Sequence, residues 1–231
     1  MLQDQNYIDF KKSQRMNLFS FITQYINKQN IIIHYVGNNY SEFYELRHFT
    51  PYEGLAETED GTLFGNMVFV NETYPEFSFG VEICEDLWVP NPPSVKYALN
   101  GALINVNLSA SDEVIGKSQY RRNLVSMQSA RTLGAYIYCD AGFGESTQDM
   151  VFAGHNLICE NGSVLSESKL FSDESIIYAD LDLQKLSYER KRMNTFETES
   201  EVPFVYFDTV PNSDLNITRT YAKHPFVPDS K

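Results

Sequence analysis

With 231 residues, 42% of them hydrophobic and 14% aromatic, the chain has enough apolar material for a sizeable buried core in one domain or at most two small ones. A formal net charge of -13 sets up a field that repels nucleic-acid phosphates and anionic membrane surfaces, which argues against both as partners. No apolar run approaches the ~18 residues of a membrane helix, and the polar start MLQDQNYIDFKKSQRMN lacks the hydrophobic segment of a secretory signal, so the cytoplasm is the expected compartment.

In chain order, LFSFITQYINKQNIIIHYV reads as a helix followed by a strand and carries no chemical motif. Strand-like runs then follow at NMVFV (66–70), FSFGVEI (77–83), ALINVNL (102–108), AYIYCDA (135–141), HNLICE (155–160) and SIIYADL (175–181). Between them, PSVKYALNGA (93–102) opens on a proline suited to a first helical turn. GKSQYRRNLVSMQSARTLGA (116–135) predicts a longer helix, with Tyr120, Leu124, Met127 and Leu133 as its apolar stripe and Arg121, Arg122 and Arg131 off it. ENGS (160–163) is a hairpin turn signal. LDLQKLSYERKRMNTF (181–196) reads as a short amphipathic helix. The proline-punctuated stretch 197–231 reads as a linker or an arm that packs on something else. Strands alternating with helices from 77 to 141 argue for an α/β layered fold.

Three widely spaced cysteines, Cys84, Cys139 and Cys159, form no CxxC pair, so neither a disulfide framework nor a zinc site is indicated. Cys139 and Cys159 read as small buried hydrophobes. Cys84 differs: in VEICEDLW it ends an apolar strand just before a turn, where α/β folds place their chemistry. Flanked by Glu85 and Asp86, a reactive thiol there needs a lysine or histidine brought in from elsewhere. None of His34, His48, His155 and His224 is marked by its setting as a base. Ser109, Ser111 and Ser146 form no GxSxG elbow, and no phosphate-binding loop, GxGxxG, HExxH or calcium loop occurs.

GVEICEDLWVPNPPS, then INVNLSASDEVIGKSQYRR, SARTLGAYIYCDAGFGESTQDMVFAGHNLICENG and HPFVP, with NYSEFYELRHF upstream, resemble the glutaminase domain of glutamine-dependent NAD synthetases, a branch of the nitrilase (carbon–nitrogen hydrolase) superfamily. The likeness runs from about 39 to 196. It implies an α/β/β/α sandwich and a Glu–Lys–Cys chemistry in which a thiolate attacks the glutamine side-chain amide, releases ammonia and leaves a γ-glutamyl thioester for water. By position, Cys84 matches the nucleophile, Glu85 the residue that holds the substrate amino group, Tyr40 and Ser111 substrate contacts, Trp88 a pocket aromatic, and Glu45 an accessory glutamate. Residue-level readings stand beside these: Tyr40 and Trp88 as core aromatics, Ser111 as a helix cap.

The resemblance departs in places. His34 stands six residues before Tyr40, where the family has its lysine. The family's catalytic glutamate, its amino-terminal strands and its synthetase domain with the ATP loop find no counterpart. The expectation is therefore a divergent segment 1–38, a partial glutaminase core 39–196 that lacks its amino-terminal strands, and an arm 197–231 leading toward a synthetase domain. No metal or cofactor is expected in this chain; ATP and Mg²⁺ belong to the synthetase part. Glutamine is the implied substrate, and a homo-oligomer or a synthetase domain the implied partner. Alone, such a chain is expected to be inactive or nearly so. The alternatives are a free-standing nitrilase-family amidase, an inactive domain that associates with synthetase subunits, or a gene remnant.

Overall fold

The structure is a computed structural model that describes residues 55–57, 61, 63–146, 150–172, 176–198, 202–209 and 217–221. Expectations that fall on Tyr40, Glu45, segment 1–38 and HPFVP (224–228) lie outside these residues.

Strands β1 (Leu55–Glu57) and β2 (Leu63–Gly65) form an antiparallel ribbon. The main sheet has seven strands: β3 (Val68–Asn71), β4 (Ser78–Ile83), β5 (Ile104–Leu108), β6 (Ala135–Cys139), β7 (Leu157–Glu160), β8 (Ser163–Glu167) and β9 (Phe204–Phe207). Their spatial order is β8-β7-β6-β5-β4-β3-β9. The core trio β4, β5 and β6 is parallel, and the crossovers are helices α1 (Pro93–Leu99) and α2 (Lys117–Arg131). A third helix, α3 (Leu183–Arg192), follows the β7–β8 hairpin. Asn161 and Gly162 make that hairpin turn with φ of 44° and 86°, the doubly positive geometry that Asn-Gly accepts at little cost.

Side-chain alternation sorts each core strand into two faces. One is hydrocarbon: Phe69, Phe79, Val81, Ile104, Val106, Ile137, Val205 and Phe207 pack with Leu186 of α3, and the Phe69 and Phe79 rings stack at 4.8 Å. The other face lies under α1 and α2 and carries Gly80, Glu82, Asn105, Asn107, Tyr136 and Tyr138. Gly80 permits the closest approach, because a Cβ there would meet the Tyr97 ring of α1 at 2.4 Å.

Several sequence expectations are corrected. In α2 the proposed stripe is wrong: Tyr120 and Met127 are exposed, and the buried side is Arg121, Val125, Gln128 and Ser129. These residues follow the helical period, but they cover a polar sheet face, so their polarity hid the pattern. SIIYADL is not a strand over 176–181. Instead, the Asp180 carboxylate accepts hydrogen bonds from the Thr218 and Arg219 backbone N–H groups at 2.6 and 2.9 Å, and side chain-to-backbone bonding replaces a ladder. Within 197–231, β9 joins the chain's own sheet, parallel to β3. Ser111 caps no helix, since α2 begins at Lys117 after Gly116.

Candidate active site

The site is built where β4, β5 and β6 end together. Ile83, Leu108 and Cys139 are in register across the three strands, so Cys84, Ser109 and Asp140 follow at one level. Cys84 opens a short 3-10 turn, Cys84–Leu87, with φ of 45°. A left-handed backbone at a non-glycine residue is held only where surrounding contacts over-determine it, which is a recurrent feature of functional turns. Three bonds hold this one. Asn107 Nδ2 donates to the Cys84 carbonyl at 3.2 Å, Ile83 N–H donates to Asp86 Oδ2 at 2.8 Å, and Trp88 N–H donates to the Glu85 carbonyl at 2.8 Å. Asp86 is thus turned back and buried, whereas Glu85 is exposed.

The Cys84 sulfur accepts a hydrogen bond from the Ser109 hydroxyl at 3.4 Å. Ser109 Oγ lies 2.6 Å from the phenol oxygen of buried Tyr138. Burial first, then the Asp140 charge, push the Tyr138 phenol above its ordinary value, so it keeps its proton. Two residues before the thiol, Glu82 is sealed in the sheet and accepts from Ser94 N–H at 2.7 Å and from the Tyr136 hydroxyl. Complete burial raises its carboxyl to about 7. Ser94 Oγ in turn accepts from Gln128 Nε2 at 2.9 Å, which ties α2 to the first turn of α1.

Ser111 is buried on the loop that follows β5. Its N–H donates to Asp140 Oδ1 at 3.0 Å, and its hydroxyl accepts from Arg121 Nη2 at 3.3 Å. Arg121, with no exposed surface, also donates to Glu113 Oε2 at 2.8 Å and to His155 Nδ1 at 3.0 Å. Burial lowers the His155 pKa, which favours a neutral ring that accepts at Nδ1 and donates from Nε2 to Glu167 at 2.8 Å. Trp88 stacks on Tyr120 at 5.2 Å, under Lys117 Nζ at 5.6 Å, and Lys117 is paired with Asp112. The structure therefore gathers Cys84, Glu85 and Trp88 on one turn and Ser111 on the loop after β5. Cys159 is buried and its thiol is pushed up to about 11 by that burial. Sequence reasoning missed Ser109, Tyr138, Asn107, Glu82 and Arg121. The available signal was polar residues interrupting strands that are otherwise buried on both faces.

An α/β sheet that presents a thiol on a left-handed backbone at the carboxyl end of a parallel core strand is a scaffold suited to thiol chemistry. A family model described as carbon-nitrogen hydrolase matches residues 3–190, and the chain belongs to that family. The matched span takes in most of the segment 1–38 that the sequence reading set apart. The glutamine-dependent NAD(+) synthetase of Mycobacterium tuberculosis is 40% identical over 210 residues, covering 82% of this chain and 30% of its own length. The Homo sapiens protein of the same name is 30% identical over 173 residues, covering 68% of this chain and 24% of its own. The crystal structure of a glutamine-dependent NAD(+) synthetase from Cytophaga hutchinsonii is 25% identical, covers 55% of this chain and 20% of that one, and has a TM-score of 0.45. The chain thus spans about 30% of the length of the mycobacterial relatives it matches.

Proposed function

We propose that this chain carries the glutaminase chemistry of a glutamine-dependent NAD synthetase. The Cys84 sulfur attacks the glutamine side-chain carbonyl, ammonia leaves, and water hydrolyses the γ-glutamyl thioester. Glu85 holds the substrate amino group, Ser111 and Tyr40 contact the amino acid, Trp88 lines the pocket and Glu45 is an accessory carboxylate. The ammonia serves amidation of nicotinic acid adenine dinucleotide in a synthetase part, in the cytoplasm and within an assembly of synthetase subunits. ATP and Mg²⁺ belong to that part. Among the described residues no group of three or more His, Cys, Asp or Glu side chains is placed to hold a metal ion, and no step here is routed through one.

The observation that carries this reading is the left-handed backbone of Cys84 within E-I-C-E-D-L-W, at the carboxyl end of β4. His34 stands where the resemblance expects a lysine, so the expected turnover is slow. Ammonia release from glutamine, asparagine and a simple aliphatic amide, with and without Cys84→Ala, tests it. A slow release specific to glutamine and lost in Cys84→Ala is the expected result. Release that survives Cys84→Ala, or that favours the simple amide, contradicts it.

A further inference from the structure

Beyond the nucleophile, the described residues place one hydroxyl directly on its sulfur. Ser109 begins where β5 ends, and its backbone is fixed by its N–H donating to the Cys139 carbonyl at 2.8 Å. Its Oγ sits between Cys84 Sγ at 3.4 Å and Tyr138 Oη at 2.6 Å. Either hydroxyl can donate in the Ser109–Tyr138 contact, and the order in which Tyr138 donates to Ser109 and Ser109 to the sulfur gives every proton a side-chain acceptor among the described residues. Tyr138 is wholly buried, and its phenol proton has Ser109 Oγ as its side-chain partner. With Tyr138 donating, the Ser109 proton is left to point at the sulfur. Tyr138 cannot readily turn away, because it lies under the Arg121 guanidinium at 5.9 Å in the closed packing between β6 and α2.

A hydrogen bond to an anion is roughly twice as strong as one between neutral groups. A donor aimed at this sulfur therefore favours thiolate over thiol, and it does so without a cation. Resting on the reading of Cys84 as nucleophile, we propose that Ser109 is a catalytic residue whose hydroxyl donates to Cys84 Sγ and stabilises its anionic form, with Tyr138 as the positioning residue that sets the direction of that proton. A serine that merely fills space or satisfies Tyr138 would leave the sulfur indifferent to its loss.

The test needs no turnover and uses the full chain. Iodoacetamide is added at one neutral pH, and modification of the Cys84 peptide is followed by mass spectrometry, alongside the thiolate ultraviolet absorbance that disappears in Cys84→Ala. Ser109→Ala is expected to slow Cys84 alkylation by about tenfold, the scale of one hydrogen bond to a charged group, and to lower the thiolate absorbance. Ser109→Thr, which keeps a hydroxyl, restores both. Tyr138→Phe, which keeps the ring, slows alkylation by a smaller factor, and it decides the matter if Ser109→Ala does not fold. Alkylation at the wild-type rate in folded Ser109→Ala, or in Tyr138→Phe when that is the deciding variant, overturns the inference and leaves the nucleophile reading intact. A wild-type Cys84 no more reactive than the thiol of an unfolded peptide overturns both.

Discussion

The two faces of the central sheet are equally buried and chemically opposite. Under α3, the side chains of β4, β5, β6 and β9 are hydrocarbon, and each contributes by area and fit. Under α1 and α2, the alternate residues of β4, β5 and β6 include Glu82, Asn105, Asn107, Tyr136 and Tyr138, all with almost no exposed surface. A buried polar atom costs free energy unless it is paired; Glu82, Asn107, Tyr136 and Tyr138 each have a side-chain or backbone partner, whereas both amide atoms of Asn105 have none among the described residues. That pairing turns one face into a positioning device. Asn107 holds the Cys84 turn, Tyr138 holds Ser109, and Arg121 holds Ser111, Glu113 and His155. The apolar face is expected to tolerate exchange of one hydrocarbon for another better than the polar face tolerates the loss of a partner.

This contrast can be broken first at Arg121. Arg121→Met removes a buried cation and leaves Glu113 and Asp140 without it. The expected loss is about 3–5 kcal/mol of folding stability, read as a lowered urea midpoint at unchanged slope. Retention of wild-type stability would show that the polar face is not held together by this residue.

A comparable effect, dependent on pH, is expected at Glu82. Its folded carboxyl titrates near 7 against an ordinary 4.5. The folded protein thus keeps a proton that the unfolded chain releases. The group's contribution is fully present below 4.5, falls as pH rises and is gone above 7. The amount at stake is of the order of 3 kcal/mol. Glu82→Gln, neutral throughout, should match wild type at the acid end of this window and exceed it at the alkaline end. Urea midpoints at both ends measure the difference, and parallel curves would contradict the assignment. The smallest effect belongs to the apolar face, where Ile137→Val should cost about 0.5–1.5 kcal/mol and leave Cys84 alkylation unchanged.

How much of this was legible in the sequence follows the same division. The core strands were readable because alternation and β-branched residues mark them, and Asn161-Gly162 announced its hairpin. The buried side of α2 was not, because Arg121, Gln128 and Ser129 look like a solvent face until their partners on Ser111, Ser94 and Gly162 are seen. The strand β9 was hidden because it pairs with β3 across a long stretch of chain, and SIIYADL misled because strand propensity lost to the Asp180 contacts. At the site, Cys84, Glu85, Trp88 and Ser111 were named from a motif. The link from Ser109 to Tyr138 joins residues 29 apart, and no local pattern carries it.

The proposed function rests on Cys84 being the nucleophile that attacks a glutamine carboxamide. The most direct measurement is peptide-mapped alkylation of Cys84 in the presence of glutamine, asparagine or neither, with Cys159 as an internal reference. Glutamine is expected to slow Cys84 modification in a saturable way and asparagine to leave it unchanged, with Cys159 unmodified in the native state. Equal modification of Cys84 under all three conditions would contradict it.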